Sequence, residues 1–289
     1  MKRLALALIF APGVAFAQSN PNWQMGHIPT PTEWNNQWSS KADNSITANG
    51  VTQSAAQWMA AVSTAPGIDA RSPAFAGGVK CDGTTDDTAA LQAAISAAQS
   101  ATYEGVAAKL LLPPGRCMTT PLTISGQVAI EGSLSSGTVL VLETGATSPA
   151  VTIQTAGSSF PAGAPGGVIA LRNLRIENQV IKTGSSSAHG ILIAAGTWFP
   201  GVTLDHVTIY GMPGDGLKTT TAQDWVDCTG CEIINNLGNG VSAANANDWH
   251  FRGGNIGTNG QSGVVLSGST QFSFEGTNIF SNGTYNVWL

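Results

Sequence analysis

The sequence predicts an all-β solenoid, a right-handed single-stranded parallel β-helix of about 23 residues per coil, preceded by one α-helix. Three observations carry this reading. First, LRNLRIEN (171–178), LDHVTIYG (204–211), CTGCEIIN (228–235), FRGGNIGT (251–258) and FEGTNIFS (274–281) align so that Ile176, Ile209, Ile233, Ile256 and Ile279 share one position, at separations of 33, 24, 23 and 23 residues. A fixed period of this size marks stacked units that complete their cores on one another. Second, apolar residues fall two apart in short bursts divided by Gly, Asn and Ser. Trp249, Phe251, Ile256, Val264 and Leu266 are matched one period later by Phe272, Phe274, Ile279, Val287 and Leu289. Such bursts read as short strands, and none reaches helical length. Third, only 10% of residues are charged, while 35 are glycine. That composition suits strands and turns and argues against a coiled coil or a charged disordered chain.

The chain opens with Lys2 and Arg3 before an apolar run that closes on Ala15-Phe16-Ala17. A positive start, a short apolar segment and A-x-A form a secretory signal pattern, so residues 1–17 are expected to be a signal peptide. The run is too short for a membrane span of about 20 residues, and no second apolar span follows, so no membrane span is expected. Residues 18–72 are rich in Pro, Asn and Trp, with Trp23, Trp34, Trp38 and Trp58. They read as a docking segment or as a linker whose aromatics pack on the first coil, with one short helix over 53–62. The pattern NPNW…PTPTEWN…WSSKAD in this stretch resembles the N-terminal segments of phage tail proteins.

The β-helix domain is expected over 73–289. In VKCDGTTDDTAALQAAISAAQSA (79–101), Thr85 or Asp86 suits an N-cap. Ala90, Leu91, Ala94, Ile95 and Ala98 then form the apolar face of a helix over 86–101. A buried strand at Lys109–Leu112 is stopped by Pro113-Pro114-Gly115. Asp82, Asp86 and Asp87 are explained by capping and a tight turn rather than by a metal. The motifs D-G-x-x-D-D-T-x-A-x-Q-x-A and L-P-x-G-x-C resemble those that open β-helices of the pectate lyase superfamily. That resemblance spans about 75–289. It implies that the helix caps the N-terminal end of the solenoid, where an edge strand would otherwise invite pairing.

The strands TVLVLET and AVTIQTA build early coils, and 169–289 holds the regular ones. About ten extra residues between Ile176 and Ile209 are expected in the loops 183–188 and 194–200, where Trp198 and Phe199 could stack on sugar or on the side of the coil. Asn236, Asn259 and Asn282, each three after an isoleucine, suggest a buried asparagine ladder. Cys228 and Cys231 read as buried small hydrophobes or as a local disulfide, since no second Cys or His pair completes a zinc set. A Cys81–Cys117 disulfide fits an exported chain.

The resemblance implies a protein that engages polysaccharide, as a lyase, hydrolase, epimerase or phage tailspike. The polygalacturonase set of N-T-D, D-D, G-H-G and R-I-K is not found; Ala188-His189-Gly190 only partly matches G-H-G. In the isoleucine register, Arg172, Asp205, Thr229, Arg252 and Glu275 fall four before the isoleucine, while Thr203, Asp227, His250 and Ser273 fall six before it. Both positions face outward. Asp205 and Asp227 then lie about 8 Å apart, a spacing suited to acid and base roles in glycoside cleavage, and His250 suits a lyase base. Arg252 and Glu275 would contact the glycan. Alternatively, Arg172–Asp205 and Arg252–Glu275 are ion pairs that merely knit neighbouring coils. Asp215 and Lys218 are further candidates.

No cofactor is called for, and no tight Asp cluster on the coils supports an outward Ca²⁺. With a net charge of −5 and no basic run, nucleic acid is not an expected partner. The last coil reads as uncapped, which is met by another subunit, as in a homotrimer, or by an additional C-terminal segment. The expected function is a tailspike-like protein that engages a surface or acidic polysaccharide, with or without cleaving it. The alternatives are an exported bacterial polysaccharide lyase or hydrolase and a non-catalytic structural or adhesion solenoid. The leader points to secretion or the periplasm, the N-terminal pattern to a virion tail.

Overall fold

The structure is a computed structural model that describes residues 67–101, 108–134, 137–154, 169–194, 201–220 and 223–289, with 45–48 and 51–54. The expected signal peptide, most of segment 18–72, and Trp198 and Phe199 lie outside the described residues. So does most of the helix expected over 53–62. In chain order, β1 (Ser45–Ala48) and β2 (Val51–Ser54) pair antiparallel. β3 (Gly67–Asp69), β4 (Asp82–Asp86) and helix α1 (Thr88–Ser100) open the solenoid.

Seven coils follow. The first holds β5 (Lys109–Leu111), β6 (Gly115–Thr119) and β7 (Leu122–Ile124), and the second β8 (Val128–Glu131), β9 (Thr138–Leu142) and β10 (Val151–Gln154). The third and fourth are β11 (Ile169–Asn178) with β12 (Ile191–Ala194), and β13 (Val202–Tyr210) with β14 (Leu217–Thr219). The fifth holds β15 (Gln223–Thr229), β16 (Glu232–Ile234) and β17 (Val241–Ala244); the sixth, β18 (Ala246–Arg252), β19 (Asn255–Gly257) and β20 (Val264–Ser267). The seventh holds β21 (Thr270–Glu275), β22 (Asn278–Phe280) and β23 (Val287–Trp288).

Each coil strand pairs in parallel with its counterpart one coil away, so three sheets run along a right-handed β-helix. The first sheet runs β3-β5-β8-β11-β13-β15-β18-β21, the third β7-β10-β12-β14-β17-β20-β23. The second links β4, β6, β9, β11, β13, β16, β19 and β22; β11 and β13 bend through the corner and serve two sheets. The five isoleucines stack in one column, and four of them have no exposed surface. Beside them the inward stack Leu171, Leu204, Cys228, Phe251 and Phe274 ends in two rings 5.2 Å apart. Burying such columns on both neighbours is the main stabilising contribution in a solenoid.

α1 closes the first coil. Ala90, Leu91, Ala94, Ile95 and Ala98 are buried. Gln92 Nε2 donates to Thr123 O (2.8 Å) while Thr123 N donates to Gln92 Oε1 (2.9 Å), so one side chain stands in for a missing strand at the edge of β7.

Two local expectations need correction. The N-cap is Asp87, not Thr85 or Asp86, because 82–86 are drawn out as β4 against β6. The Asp87 carboxylate accepts from Lys80 N and Cys81 N, and Asp86 accepts from Thr88 N. The strand expected at 109–112 ends at Leu111, whose side chain faces outward and is 38% exposed; only Leu110 and Leu112 enter the core. β3 already belongs to the first sheet, which among the described residues begins at Gly67, within the segment expected as a docking segment or linker. No helix among the described residues is long and apolar enough to cross a membrane.

Candidate functional site

The outward face of the first sheet gathers most of the chemistry-bearing groups. In register, Asp205 stands beside Arg172 on one side and Thr229 on the other; Asp227 stands between Thr203 and His250. Arg252 stands between Thr229 and Glu275, and Ser273 follows His250. Asp205 and Asp227 are therefore one coil and two residues apart, which places their side chains about 8 Å from each other.

The partners of each group are specific. Asp227 accepts from Arg252 Nη1 at 2.9 Å and from Trp225 Nε1 at 2.8 Å, so two donors from two coils orient one half-buried carboxylate. Arg252 also approaches Glu275, Nε to Oε2 3.7 Å. Asp205 Oδ1 lies 2.6 Å from His206 Nδ1. Arg172, in line with Glu131 and Asp205, makes no ion pair among the described residues; Glu131 is taken by Lys109 at 2.6 Å. Thus the expected Arg172–Asp205 pair is replaced by Asp205–His206, and Arg172 stands in register between Glu131 and Asp205 without a direct ion pair to either. His250 is held from both sides: Nε2 lies 3.0 Å from Asp248 Oδ1 and Nδ1 2.7 Å from Ser273 Oγ. A base so engaged reaches a substrate proton only by releasing a partner or by acting through Ser273.

Three residues of this face were not singled out as part of the site from sequence. His206 follows Asp205, and alternation along a strand would turn it inward. Its φ of +52° turns the chain at the corner instead, and the ring lies exposed over Gly230 of the next coil. Trp225 and Asp248 sit eight before their isoleucines, at a second corner with φ of +53° and +60°. Both are outward by simple alternation from Asp227 and His250, which is the signal that would have found them.

A second cluster lies in the turns between the second and third sheets. His189 Nδ1 accepts from Asp215 N (2.9 Å), and Lys218 Nζ lies 3.1 Å from Asp215 Oδ2. Asn239 donates twice to Asp215 Oδ1. His189 and Asp215 are buried. Burial first, then the Lys218 charge, pushes the His189 pKa down, with Asp215 opposing. The His189 and Asn239 contacts hold the Asp215 turn to the coils on either side, and Lys218 pairs with it inside its own coil, so this group is structural glue more than an open site.

Asn236, Asn259 and Asn282 are stacked, Asn236 Nδ2 donating to Asn259 Oδ1 and Asn259 Nδ2 to Asn282 Oδ1, both at 3.0 Å. Cys81 is joined to Cys117 and Cys228 to Cys231 by disulfides. Asp87 lies beside the first disulfide, whose sulfurs are thereby unavailable as thiolate ligands; its carboxylate serves two backbone amides. Asp82 accepts from Thr85 N and Thr84 N, which hold its pKa far below the usual carboxylate range.

Residues 76–288 match the model of a family described as rhamnogalacturonase A/epimerase, pectate lyase-like. Among solved structures, the full-length tailspike protein 2 of an Escherichia coli O157:H7 bacteriophage superposes with a TM-score of 0.58 at 16% identity, over 83% of this chain and 30% of that one. The enzymatically active domain of tailspike protein 2 from bacteriophage CBA120 gives 0.53 at 15%, over 81% and 32%. ORF18 of Geobacillus virus E2 gives 0.54 at 16%, over 81% and 48%. This chain spans about a third to a half of the length of these structures, and at such identities the likeness is one of fold. No curated protein sequence matches the chain.

Proposed function

The chain belongs to the rhamnogalacturonase A/epimerase, pectate lyase-like family, and from that premise we propose that it is a tailspike-like protein that engages a surface or acidic polysaccharide along the outward face of the first sheet and cleaves it there. The carrying observation is the diagonal pair Asp205 and Asp227 on adjacent coils, each with its own partner, on a face that also bears an exposed tryptophan. Asp227, fixed by two donors, meets a substrate water as an acceptor and takes the role of base. Asp205, joined to the exposed His206, takes the role of acid, with the imidazole exchanging its proton with solvent. A separation of about 8 Å leaves room for a water between carboxylate and sugar, as inverting hydrolysis requires. Arg172 supplies a cation for a uronate carboxylate.

The likeness in fold to phage tailspikes supports a place on a virion tail. A second reading, an exported bacterial lyase or hydrolase, is favoured by the two disulfides, which suit an oxidising compartment.

The test follows reducing ends and the ultraviolet absorbance of unsaturated uronates over a panel of acidic and neutral polysaccharides. Reducing ends without absorbance are expected, with Asp205→Asn and Asp227→Asn each lowering turnover at least 100-fold and the first product of inverted configuration. Absorbance would replace hydrolysis by elimination. Turnover unchanged in both variants would remove this face as the catalytic one.

A further inference from the structure

We propose that Trp225 is the floor of a sugar-binding subsite, on which one pyranose ring stacks by its C–H face; the inference rests on the reading of the first sheet as the glycan face. Single exposed apolar residues are ordinary on protein surfaces, so exposure alone carries little. Trp225 is 53% exposed, but it is also fixed. Its Nε1 donates to Asp227 at 2.8 Å, which sets the ring in the sheet's outer surface beside the proposed base. The ring lies over Gly201, one coil before it at the same register position. A Cβ at Gly201 would stand 3.3 Å from Trp225 Cγ and Cδ2, so the missing side chain there makes the bed for the indole.

The backbone gives a further reason. Trp225 has φ of +53°, a left-handed conformation that bulky residues seldom adopt. The two later coils place the smaller, polar Asp248 and Gln271 at this corner, with φ of +60° and +58°. A tryptophan that is strained, half in water and tied to Asp227 contributes little to the core. What it offers is a flat apolar plate with the Asp227 carboxylate at its edge and Asp248 at the same register position one coil on, both able to accept from sugar hydroxyls. That pairing of a plate with rim acceptors is the chemistry of a pyranose site.

Affinity electrophoresis of the full chain through gels holding polygalacturonate, alginate or dextran tests the subsite. Wild type is expected to be retarded by at least one of these, Trp225→Ala about tenfold more weakly, and Trp225→Phe close to wild type, because phenylalanine keeps a stacking face while losing the N–H. Equal retardation of wild type and Trp225→Ala would overturn the subsite and leave the glycan face standing. A Trp225→Phe variant as weak as Trp225→Ala would also overturn it, since the tryptophan would then act only by bracing Asp227. No retardation of wild type in any gel would bring down both readings. The melting temperature of each variant, expected within a degree or two of wild type for so exposed a side chain, separates lost binding from lost fold.

Discussion

At the scale of single residues, the polar groups divide by what they face. His189 faces inward and stays neutral, because burial and Lys218 resist its protonation. An imidazole with its pKa lowered in the folded state takes up a proton more readily when unfolded, so folding stability rises with pH through that window. Above the ordinary value of 6.5 both states are neutral and the term is absent; as pH falls below 6.5, protonation favours the unfolded chain. His189→Gln removes this term. The stability difference between wild type and variant, measured by urea unfolding, should therefore narrow as pH drops from about 7.5 to about 5.5. A difference constant over that range would show that His189 does not titrate differently on folding. The outward residues were partly legible in sequence: Asp205, Asp227, His250, Arg252 and Glu275 follow from the register alone. His206 did not, because a left-handed corner residue breaks the two-residue alternation on which that reading depends.

At the scale of elements, the coil corners decide what the sequence must be. Gly240 sits where one turn lies against the next. A Cβ there would meet Gly263 O and Ile256 Cγ2 at 2.6 Å and Asn259 Nδ2 at 2.7 Å, so backbone, core and asparagine ladder would all be displaced. Gly253 meets nothing within 4 Å but holds φ of +65°. Gly240→Ala is thus expected to cost about 3 kcal/mol and Gly253→Ala about 1 kcal/mol, read from urea midpoints at constant slope. A larger loss at Gly253 would mean that strain at the corners outweighs packing between turns. This also explains which elements were readable. Isoleucine, asparagine and glycine repeat because stacked coils impose the same steric demand every 23 residues. The start of α1 has no such repeat: capping residues stand at three successive positions, Thr85, Asp86 and Asp87, and only the pairing of β4 with β6 selects Asp87.

At the scale of the whole molecule, a solenoid has no contacts between distant coils, so its stability is close to a sum of neighbour terms and its ends matter most. α1 guards one end, and the Cys81–Cys117 disulfide ties the segment before it to β6 of the first coil, across a separation of 36 residues. Cys228–Cys231 spans only 3, inside one coil. Chain-entropy arithmetic gives about 4 kcal/mol for closing the longer loop and about 1.5 kcal/mol for the shorter. The longer bridge acts on the element that closes the edge of β7, so its loss frees the cap as well as the chain. Replacing Cys81 and Cys117 by serine together should therefore lower the urea midpoint more than the same change at Cys228 and Cys231. It should also raise hydrogen exchange first in α1 and β7. Equal losses at the two bridges, or exchange that rises evenly over all seven coils, would mean that the cap is not the point from which the β-helix opens. A loss confined to the cap would leave the proposed glycan face on β13, β15 and β18 intact, and with it the retardation expected in the gels.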